Sequence, residues 1–177
     1  MIRTMVGTAV AALCRVRYGK RVRASSFLVA APSRVRISRS ARVEIGKGVV
    51  IEKGARIVVR GELTIGEGVY IGKNATIVSF SSVSIGARTL IGENVSIHDE
   101  DHGPAGHRGD FMVSPVTVGE DSWLCAGVVV TRGVSIGSRT TIAANAVVTD
   151  SVPDDCLAGG LPARVIRLLQ ATERAAS

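Results

Sequence analysis

Aromatic residues and cysteines are scarce in this chain of 177 residues. Aromatics make up 3% and apolar residues 46%, so a core large enough for one domain must be filled without large rings. The three cysteines, Cys14, Cys125 and Cys156, show no CxxC spacing, which argues against a disulfide framework or a zinc site and favours a reducing compartment. Glycine is frequent at 20, and with many Val, Ile and Ala it favours short strands joined by tight corners.

Acidic residues are absent from the first 43 positions, which hold ten Arg or Lys. Since the whole chain carries a net charge of +7, the remainder carries about −3. A basic segment joined to a slightly acidic body favours an anionic partner for that segment, either lipid headgroups or a polyanion. Only Tyr18 and Phe27 interleave with the basic residues, so we expect no nucleic-acid binding.

A short apolar run at residues 5–14 is too short to cross a bilayer, and Leu13-Cys14 offers no small-residue pair for signal cleavage. Apolar residues at helical spacing predict an amphipathic helix over 2–17, either capping the open end of the core or lying in a membrane surface. We therefore expect a cytoplasmic protein with peripheral contact to the inner membrane face through residues 1–23. The apolar face comprises Ile2, Met5, Val6, Ala9, Val10, Leu13 and Val16.

An aliphatic residue recurs every six positions, often before a glycine, and fifteen such positions form five groups of three. Each group predicts one triangular coil of three short flat strands, whose aliphatic side chains point inward and stack on the next coil. Steps of eight residues between the early groups make the first repeats 20 residues long and the last one 18. The groups are Ile45, Ile51, Ile57; Ile65, Ile71, Ile77; Ile85, Ile91, Ile97; Val118, Leu124, Val130; and Ile136, Ile142, Val148.

This repeat resembles the hexapeptide-repeat acyltransferase superfamily over roughly residues 35 to 169. The resemblance implies an all-β, left-handed parallel β-helix of about five coils, a hand that runs against the usual crossover rule. We predict a basic amphipathic arm at 1–34, the β-helix at 35–158 with a loop excursion at 98–116, and a C-terminal coenzyme-contacting segment and tail at 159–177.

The period fails between Ile97 and Val118, and the polar segment in between contains all three histidines, His98, His102 and His107. A long excursion from a regular scaffold is a frequent place for function. A neutral imidazole accepts a proton near pH 7, as attack by a hydroxyl on a thioester requires. An adjacent acid could orient the His102 ring, and the sequence does not say which one. These acids are Asp99, Glu100 and Asp101.

The stretch IGENVSIHDEDHG resembles the catalytic coil of the sugar O-acetyltransferases, the group with the galactoside and maltose enzymes. The resemblance implies that His102 is the catalytic general base and that His98 has a structural or substrate-contacting role. The Asp and Asn by which the galactoside enzymes hold their sugar are replaced here by Phe80 and Gly72. A galactoside acceptor is therefore not expected.

The segment from 118 to 167, which closes on Gly159-Gly160-Leu161-Pro162-Ala163-Arg164-Val165-Ile166-Arg167, resembles the coenzyme-binding part of the same enzymes. The resemblance implies acetyl-CoA as co-substrate, a homotrimer, a backbone N–H of Ala126 that stabilises an oxyanion, and arginines at the coenzyme phosphates. Trp123 would pack along the pantetheine arm, beside the acceptor or against another subunit. The implied contacts are Trp123, Ala126, Ala144, Thr149, Asp150, Arg164 and Arg167.

The expected activity is acyl-CoA-dependent O-acyl transfer, with acetyl moving directly to a sugar hydroxyl of a cell-surface polysaccharide or lipid-linked saccharide. Direct transfer is expected because no Ser or Cys nucleophile motif is present. Two alternatives stay open. One is a metalloenzyme like the γ-class carbonic anhydrases, with His98, His102 and His107 as ligands, although we expect no metal. The other is a non-catalytic β-helix scaffold.

Overall fold

The described part of the chain winds into six stacked coils of three short strands each. The structure is a computed structural model that describes residues 19–25, 27–30, 33–103 and 110–169. A single 3-10 turn at Gly19–Arg21 precedes the first strand. The strands of the first three coils, numbered in chain order, are β1 (Val22–Ala24), β2 (Phe27–Val29), β3 (Arg34–Ile37), β4 (Arg42–Ile45), β5 (Val49–Ile51), β6 (Arg56–Val59), β7 (Glu62–Ile65), β8 (Tyr70–Ile71) and β9 (Thr76–Ser79).

The second half of the molecule contains three more coils, one inserted hairpin and one closing hairpin. The fourth coil precedes the inserted hairpin, and the fifth and sixth follow it. The strands are β10 (Ser82–Ile85), β11 (Leu90–Ile91), β12 (Ser96–His98), β13 (Glu100–His102), β14 (Phe111–Val113), β15 (Val116–Val118), β16 (Trp123–Leu124), β17 (Val129–Val130), β18 (Ser135–Ile136), β19 (Thr141–Ile142), β20 (Val147–Val148), β21 (Cys156–Gly160) and β22 (Ala163–Leu168).

Corresponding strands of successive coils pair in parallel and form three sheets along the axis. Sheet A has the order β1-β4-β7-β10-β15-β18, sheet B β2-β5-β8-β11-β16-β19-β21-β22, and sheet C β3-β6-β9-β12-β17-β20. The antiparallel pairs are β13 with β14 and β21 with β22. The fold is the expected left-handed parallel β-helix.

The predicted inward positions form the core, since all of them are buried except Ile45, which packs against the core while partly exposed. Ile65 pairs with Ile85 and Val118 pairs with Ile136, which confirms repeats of 20 and 18 residues. Each fully buried Ile or Val contributes about 1.5–3 kcal/mol, and the neighbouring coil supplies the covering surface.

Glycine follows the inward aliphatic residue where two coils approach at a corner. A Cβ placed on Gly66 would lie 2.5 Å from the backbone nitrogen of Ala87 in the next coil. The expectation that glycine marks corners with no room for a side chain is therefore confirmed at this position.

The β-helix begins at Val22, so the prediction of an arm extending to residue 34 and of about five coils is wrong by one coil. Ala24 and Val29 are the register partners of Ile45 and Ile51. A five-residue spacing and an alanine in place of Ile hide this coil from the six-residue pattern. The helix predicted at 2–17 lies outside the described residues. Within the described ranges, no helix has the length and hydropathy that a bilayer crossing requires.

The interruption of the repeat is a hairpin that leaves sheet C after His98. Strand β13 pairs with β14, His102 opposite Phe111, and the chain rejoins sheet A at Val116. At the other end, the predicted boundary at residue 159 falls inside β21. That strand extends sheet B, and β22 folds back on it, because Cys156 and Ala158 continue the inward apolar rows.

Candidate functional site

The inserted hairpin and the outer face of sheet C enclose an open groove of about 520 Å³. This volume lies within the range of about 300–1,000 Å³ that small-molecule sites occupy. His98, His102 and Phe111 line it on the hairpin side, and Arg56 and Arg60 line it further along the sheet. The groove therefore holds both described histidines and two cations.

Alternate residues of a strand face outward, so register partners on successive strands form columns of side chains along the outer face of sheet C. Arg36, Val58, Val78 and His98 are successive register partners in one column. Val148 lies two coils beyond Ile97 in the same row of register partners. Thr149 follows Val148 as His98 follows Ile97, so Thr149 continues the column beyond His98. The histidine thus lies between an arginine end of the sheet and an end that carries predicted coenzyme contacts.

His98 is held by a neighbour at each ring nitrogen. Its Nε2 lies 2.8 Å from Ser96 Oγ and its Nδ1 lies 3.2 Å from Glu100 Oε1. The order of groups is that of a serine–histidine–acid triad. With both nitrogens engaged, the imidazole is oriented by the protein and is not open to an acceptor hydroxyl.

His102 is exposed, and its ring packs on Phe111 with 4.7 Å between ring centroids. Neither ring nitrogen forms a hydrogen bond with any of the described residues, and the side chain lines the groove. The expected carboxylate partner is not found in this part of the chain: Asp101 accepts a hydrogen bond from the backbone N–H of His102 at 2.8 Å, and Glu100 contacts His98 instead. An aromatic contact therefore replaces the carboxylate.

A continuous stack connects His102 to the scaffold. Phe111 packs edge-on against Phe80 with centroids 5.0 Å apart, and the guanidinium of Arg60 lies 4.1 Å from the Phe80 ring centroid. Buried Asp99 fixes the Phe80 turn by accepting hydrogen bonds from the backbone N–H of Phe80 and of Ser81, each at 2.7 Å.

Sequence reasoning missed Arg60, Phe80 and Phe111 as site residues. The chain has three Phe, and two of them meet here, one of them within the excursion itself. Because aromatic residues are scarce in this chain, a phenylalanine within the excursion was the sequence feature that could have indicated Phe111 as a site residue.

Ala126 and Ala144 lie at the same corner between sheets B and C, one coil apart. The backbone N–H of Asn145 donates to the carbonyl of Ala126 at 2.9 Å. Both alanines are exposed, and their own N–H groups donate to none of the described residues. This corner can therefore offer backbone donors to a bound carbonyl or amide.

Thr149, Asp150 and Arg164 form one exposed cluster near the end of sheet C. The Thr149 hydroxyl donates to Asp150 Oδ2 at 3.2 Å, and Arg164 Nη1 donates to the same oxygen at 2.8 Å. An exposed pair of this kind contributes at most about 1 kcal/mol, so Arg164 can change partner to a phosphate at little cost. Asp150 orients Arg164, but its own negative charge makes it unsuited to contact an anion directly.

Trp123 and Arg167 line a second groove of about 520 Å³ on sheet B, on a different face from His102. Arg88 lies there too, and its hydrogen bonds raise its own pKa and lower the pKa of the Asp121 carboxyl. Within one chain, the predicted set is therefore divided between two faces that share the Ala126 corner.

Cys125 precedes that corner, and burial raises the pKa of its thiol. The thiol is therefore protonated at neutral pH and unsuited to nucleophilic attack. Among the described residues, no cluster of three or more His, Cys, Asp or Glu is arranged to hold a metal ion. His107, one ligand of the metalloenzyme alternative, lies outside those residues, as does Cys14.

Two family models match the coils on either side of the hairpin. The one described as bacterial transferase hexapeptide (six repeats) matches residues 115–150, and the one described as hexapeptide repeat of succinyl-transferase matches residues 62–98.

Two known proteins with similar sequences are acetyltransferases by name. Galactoside O-acetyltransferase of Escherichia coli K12 is 38% identical over 60 residues, covering 34% of this chain and 30% of that protein. WcaF of the same strain, named as a candidate acetyltransferase of colanic acid biosynthesis, is 36% identical over 72 residues, covering 41% and 40%. The matched segments thus span less than half of either relative.

A solved structure matches over most of both chains. It is a hexapeptide-repeat-containing acetyltransferase from Vibrio cholerae O1 biovar eltor in complex with acetyl-CoA. The identity is 26% and the TM-score 0.61, covering 90% of this chain and 75% of that one.

Proposed function

Because this chain belongs to the hexapeptide-repeat acyltransferase superfamily, we propose that it is an acetyl-CoA-dependent O-acetyltransferase. The proposed acceptor is a sugar hydroxyl of a cell-surface polysaccharide or lipid-linked saccharide. WcaF, named for colanic acid biosynthesis, and the acetyl-CoA complex of the Vibrio cholerae protein support this choice.

His102 is the general base of the proposed reaction. One of its ring nitrogens accepts the proton of the acceptor hydroxyl while the hydroxyl oxygen attacks the thioester carbonyl. The C–S bond then breaks, the coenzyme leaves as the thiolate, and the proton on His102 passes to that thiolate or to water. The single observation that carries this assignment is a ring in the groove that stacks on Phe111 and has no hydrogen-bonding partner among the described residues.

The corner between sheets B and C supplies the proposed coenzyme site. The N–H groups of Ala126 and Ala144 are suited to the pantetheine arm, and the N–H of Ala126 is suited to the developing oxyanion. Thr149 and Arg164 lie further along, where the cation would meet a coenzyme phosphate after release from Asp150. Arg167 would reach a second phosphate from the sheet B side.

Direct transfer is the proposed route, although Ser96, His98 and Glu100 have the order of a covalent triad. Ser96 is half-buried beside His98, and its hydroxyl lies within hydrogen-bonding distance of the ring that holds it. Ser96→Ala should therefore retain most of the activity. An acetyl group trapped on Ser96 in a rapid quench would overturn direct transfer and leave the acyltransferase activity standing.

A homotrimer is proposed because the two halves of the predicted site lie on different faces, which neighbouring copies can bring together. The exposed partners Leu90 and Trp123 support packing of sheet B on a second copy of this chain, since they are 43% and 47% exposed. Light scattering should give three times the 18.5 kDa chain mass, and a monomer at micromolar concentration would contradict the proposal.

Peripheral attachment to the inner membrane face, with the enzyme in the cytoplasm, is proposed for the basic start of the chain. Full-length protein should sediment with anionic vesicles, and a chain lacking residues 1–20 should not. Equal sedimentation of both would contradict this assignment.

The test of the activity is coenzyme A release from acetyl-CoA across a panel of free and lipid-linked sugars. Wild-type protein should release coenzyme A with at least one sugar, and His102→Ala should lose most of that rate. His98→Ala is the matched control in the same groove, and a smaller loss is expected. Coenzyme A release that is unaffected by His102→Ala would contradict the role of His102 as the general base. No release with any sugar would favour a non-catalytic scaffold.

A further inference from the structure

The outer face of sheet C carries a row of four arginines that leads to the histidines. We call Arg34, Arg36, Arg56 and Arg60 the arginine row. Arg34 and Arg36 are exposed on β3, and Arg56 and Arg60 are exposed at the ends of β6. Arg56 and Arg60 line the groove that also contains His98 and His102.

No member of the arginine row forms an ion pair with any described residue, whereas outward arginines of sheet A do. Arg34 is the direct register partner of Arg56. Like charges opposite each other across a strand pair are unfavourable. Two guanidinium groups placed together without an acid therefore form a site that an anion would stabilise.

The chemistry of the row fits phosphate. Guanidinium groups bind phosphate oxygens in a bidentate manner, and neighbouring coils set successive groups about 4.8 Å apart along the sheet. That spacing allows two arginines to hold one diphosphate. The cation–π contact of Arg60 with Phe80 fixes a third guanidinium at the groove.

The distance from the row to the histidines leaves space for a sugar. Arg56 and Ser96 are in the same column two coils apart, which is about 10 Å. Thr76 lies between them and offers a hydroxyl, and Val58 and Val78 in the neighbouring column offer an apolar lining to the groove. A phosphate on the row would thus place an attached sugar toward His98 and His102.

We infer that the acceptor carries a phosphate or diphosphate that the arginine row binds while its sugar hydroxyl faces His102. The inference rests on the proposed function and narrows its acceptor to anionic sugars. The phosphate could belong to a sugar nucleotide or to a polyprenyl diphosphate sugar, and both present the same group.

The first test is binding of inorganic pyrophosphate to the full-length protein, measured by calorimetry without any turnover. Arg34→Gln/Arg56→Gln should weaken binding by roughly tenfold or more. The matched control is Arg23→Gln/Arg42→Gln, which removes two paired arginines from sheet A and should leave binding within about twofold of wild type. Equal binding by both double variants would overturn the inference.

The second test compares acceptors in the coenzyme A release assay. The panel is a neutral methyl hexoside, a hexose 1-phosphate, a nucleoside diphosphate hexose and a short-chain polyprenyl diphosphate hexose. Phosphorylated acceptors should have the lower KM, and Arg34→Gln/Arg56→Gln should raise it roughly tenfold without changing the KM for acetyl-CoA. The phosphorylated acceptor with the lowest KM identifies whether the phosphate belongs to a sugar nucleotide or to a polyprenyl diphosphate sugar.

The two proposals fail in different ways. Turnover of neutral sugars alone, or a raised KM for acetyl-CoA in the double variant, overturns the phosphate site and leaves acyl transfer standing. Pyrophosphate binding that depends on the row, with no coenzyme A release from any acceptor, supports the anion site and overturns the proposed function.

Discussion

Sheets A and C share one interior pattern and differ on their outer faces. On sheet A, Arg23 and Arg42 pair with Glu44 and Glu62, their register partners in the next coil. On sheet C, the equivalent positions put Arg34 beside Arg56, and the column continues to Ser96 next to His98. The repeat thus specifies the scaffold, and the departure from charge matching lies on the face where we propose that the acceptor binds.

The largest expected difference between the faces is catalytic. His102→Ala should lower kcat by about 100- to 10,000-fold, because the acceptor hydroxyl loses its proton acceptor. The KM for acetyl-CoA should change little, since the proposed coenzyme contacts lie elsewhere. Steady-state kinetics measure both, and a loss confined to KM would assign His102 to binding.

The interiors of the two sheets should respond alike. Ile97→Ala in sheet C and Ile85→Ala in sheet A each empty a fully buried position, and each should lower the free energy of unfolding by about 2–5 kcal/mol. Denaturant unfolding measures the loss. A much smaller loss at Ile97 would mean that the interior of sheet C, and not only its outer face, is specialised.

Positioning of His102 by its aromatic neighbour should have an intermediate effect. Phe111→Leu removes the ring against which the imidazole packs and should lower kcat roughly 10- to 100-fold, with the KM for acetyl-CoA retained. Phe111→Tyr keeps the ring and should restore most of kcat. Equal kcat for the leucine and tyrosine variants would argue against stacking as the means of positioning.

The smallest expected effect is a change in the Tm of the ligand-free protein at low salt when surface charges are removed. Arg42→Gln breaks a pair with Glu62 and should lower Tm by up to about 2 °C, whereas Arg56→Gln relieves repulsion from Arg34 and should leave Tm unchanged or raise it. Thermal unfolding in matched buffers compares the two. A similar fall in both variants would show that the arginine row is already neutralised within the protein.

Five of the six coils could be predicted from sequence because one buried residue every six positions fixes their register. The first coil was missed because Ala24 replaces a large aliphatic residue there. The position of His102 in the excursion was also predictable. Its partner was not, because the hairpin register that brings Phe111 opposite His102, and Glu100 to His98, depends on antiparallel pairing that the parallel repeat does not encode.

The role of His102 as the base is tested most directly by a crystal structure of the protein with coenzyme A and a sugar acceptor bound. We expect an acceptor hydroxyl within about 3.2 Å of a His102 ring nitrogen, or bridged to it by one water, and the pantetheine thiol near the Ala126 corner. A coenzyme on another face, or a His102 ring turned away from both substrates, would contradict it.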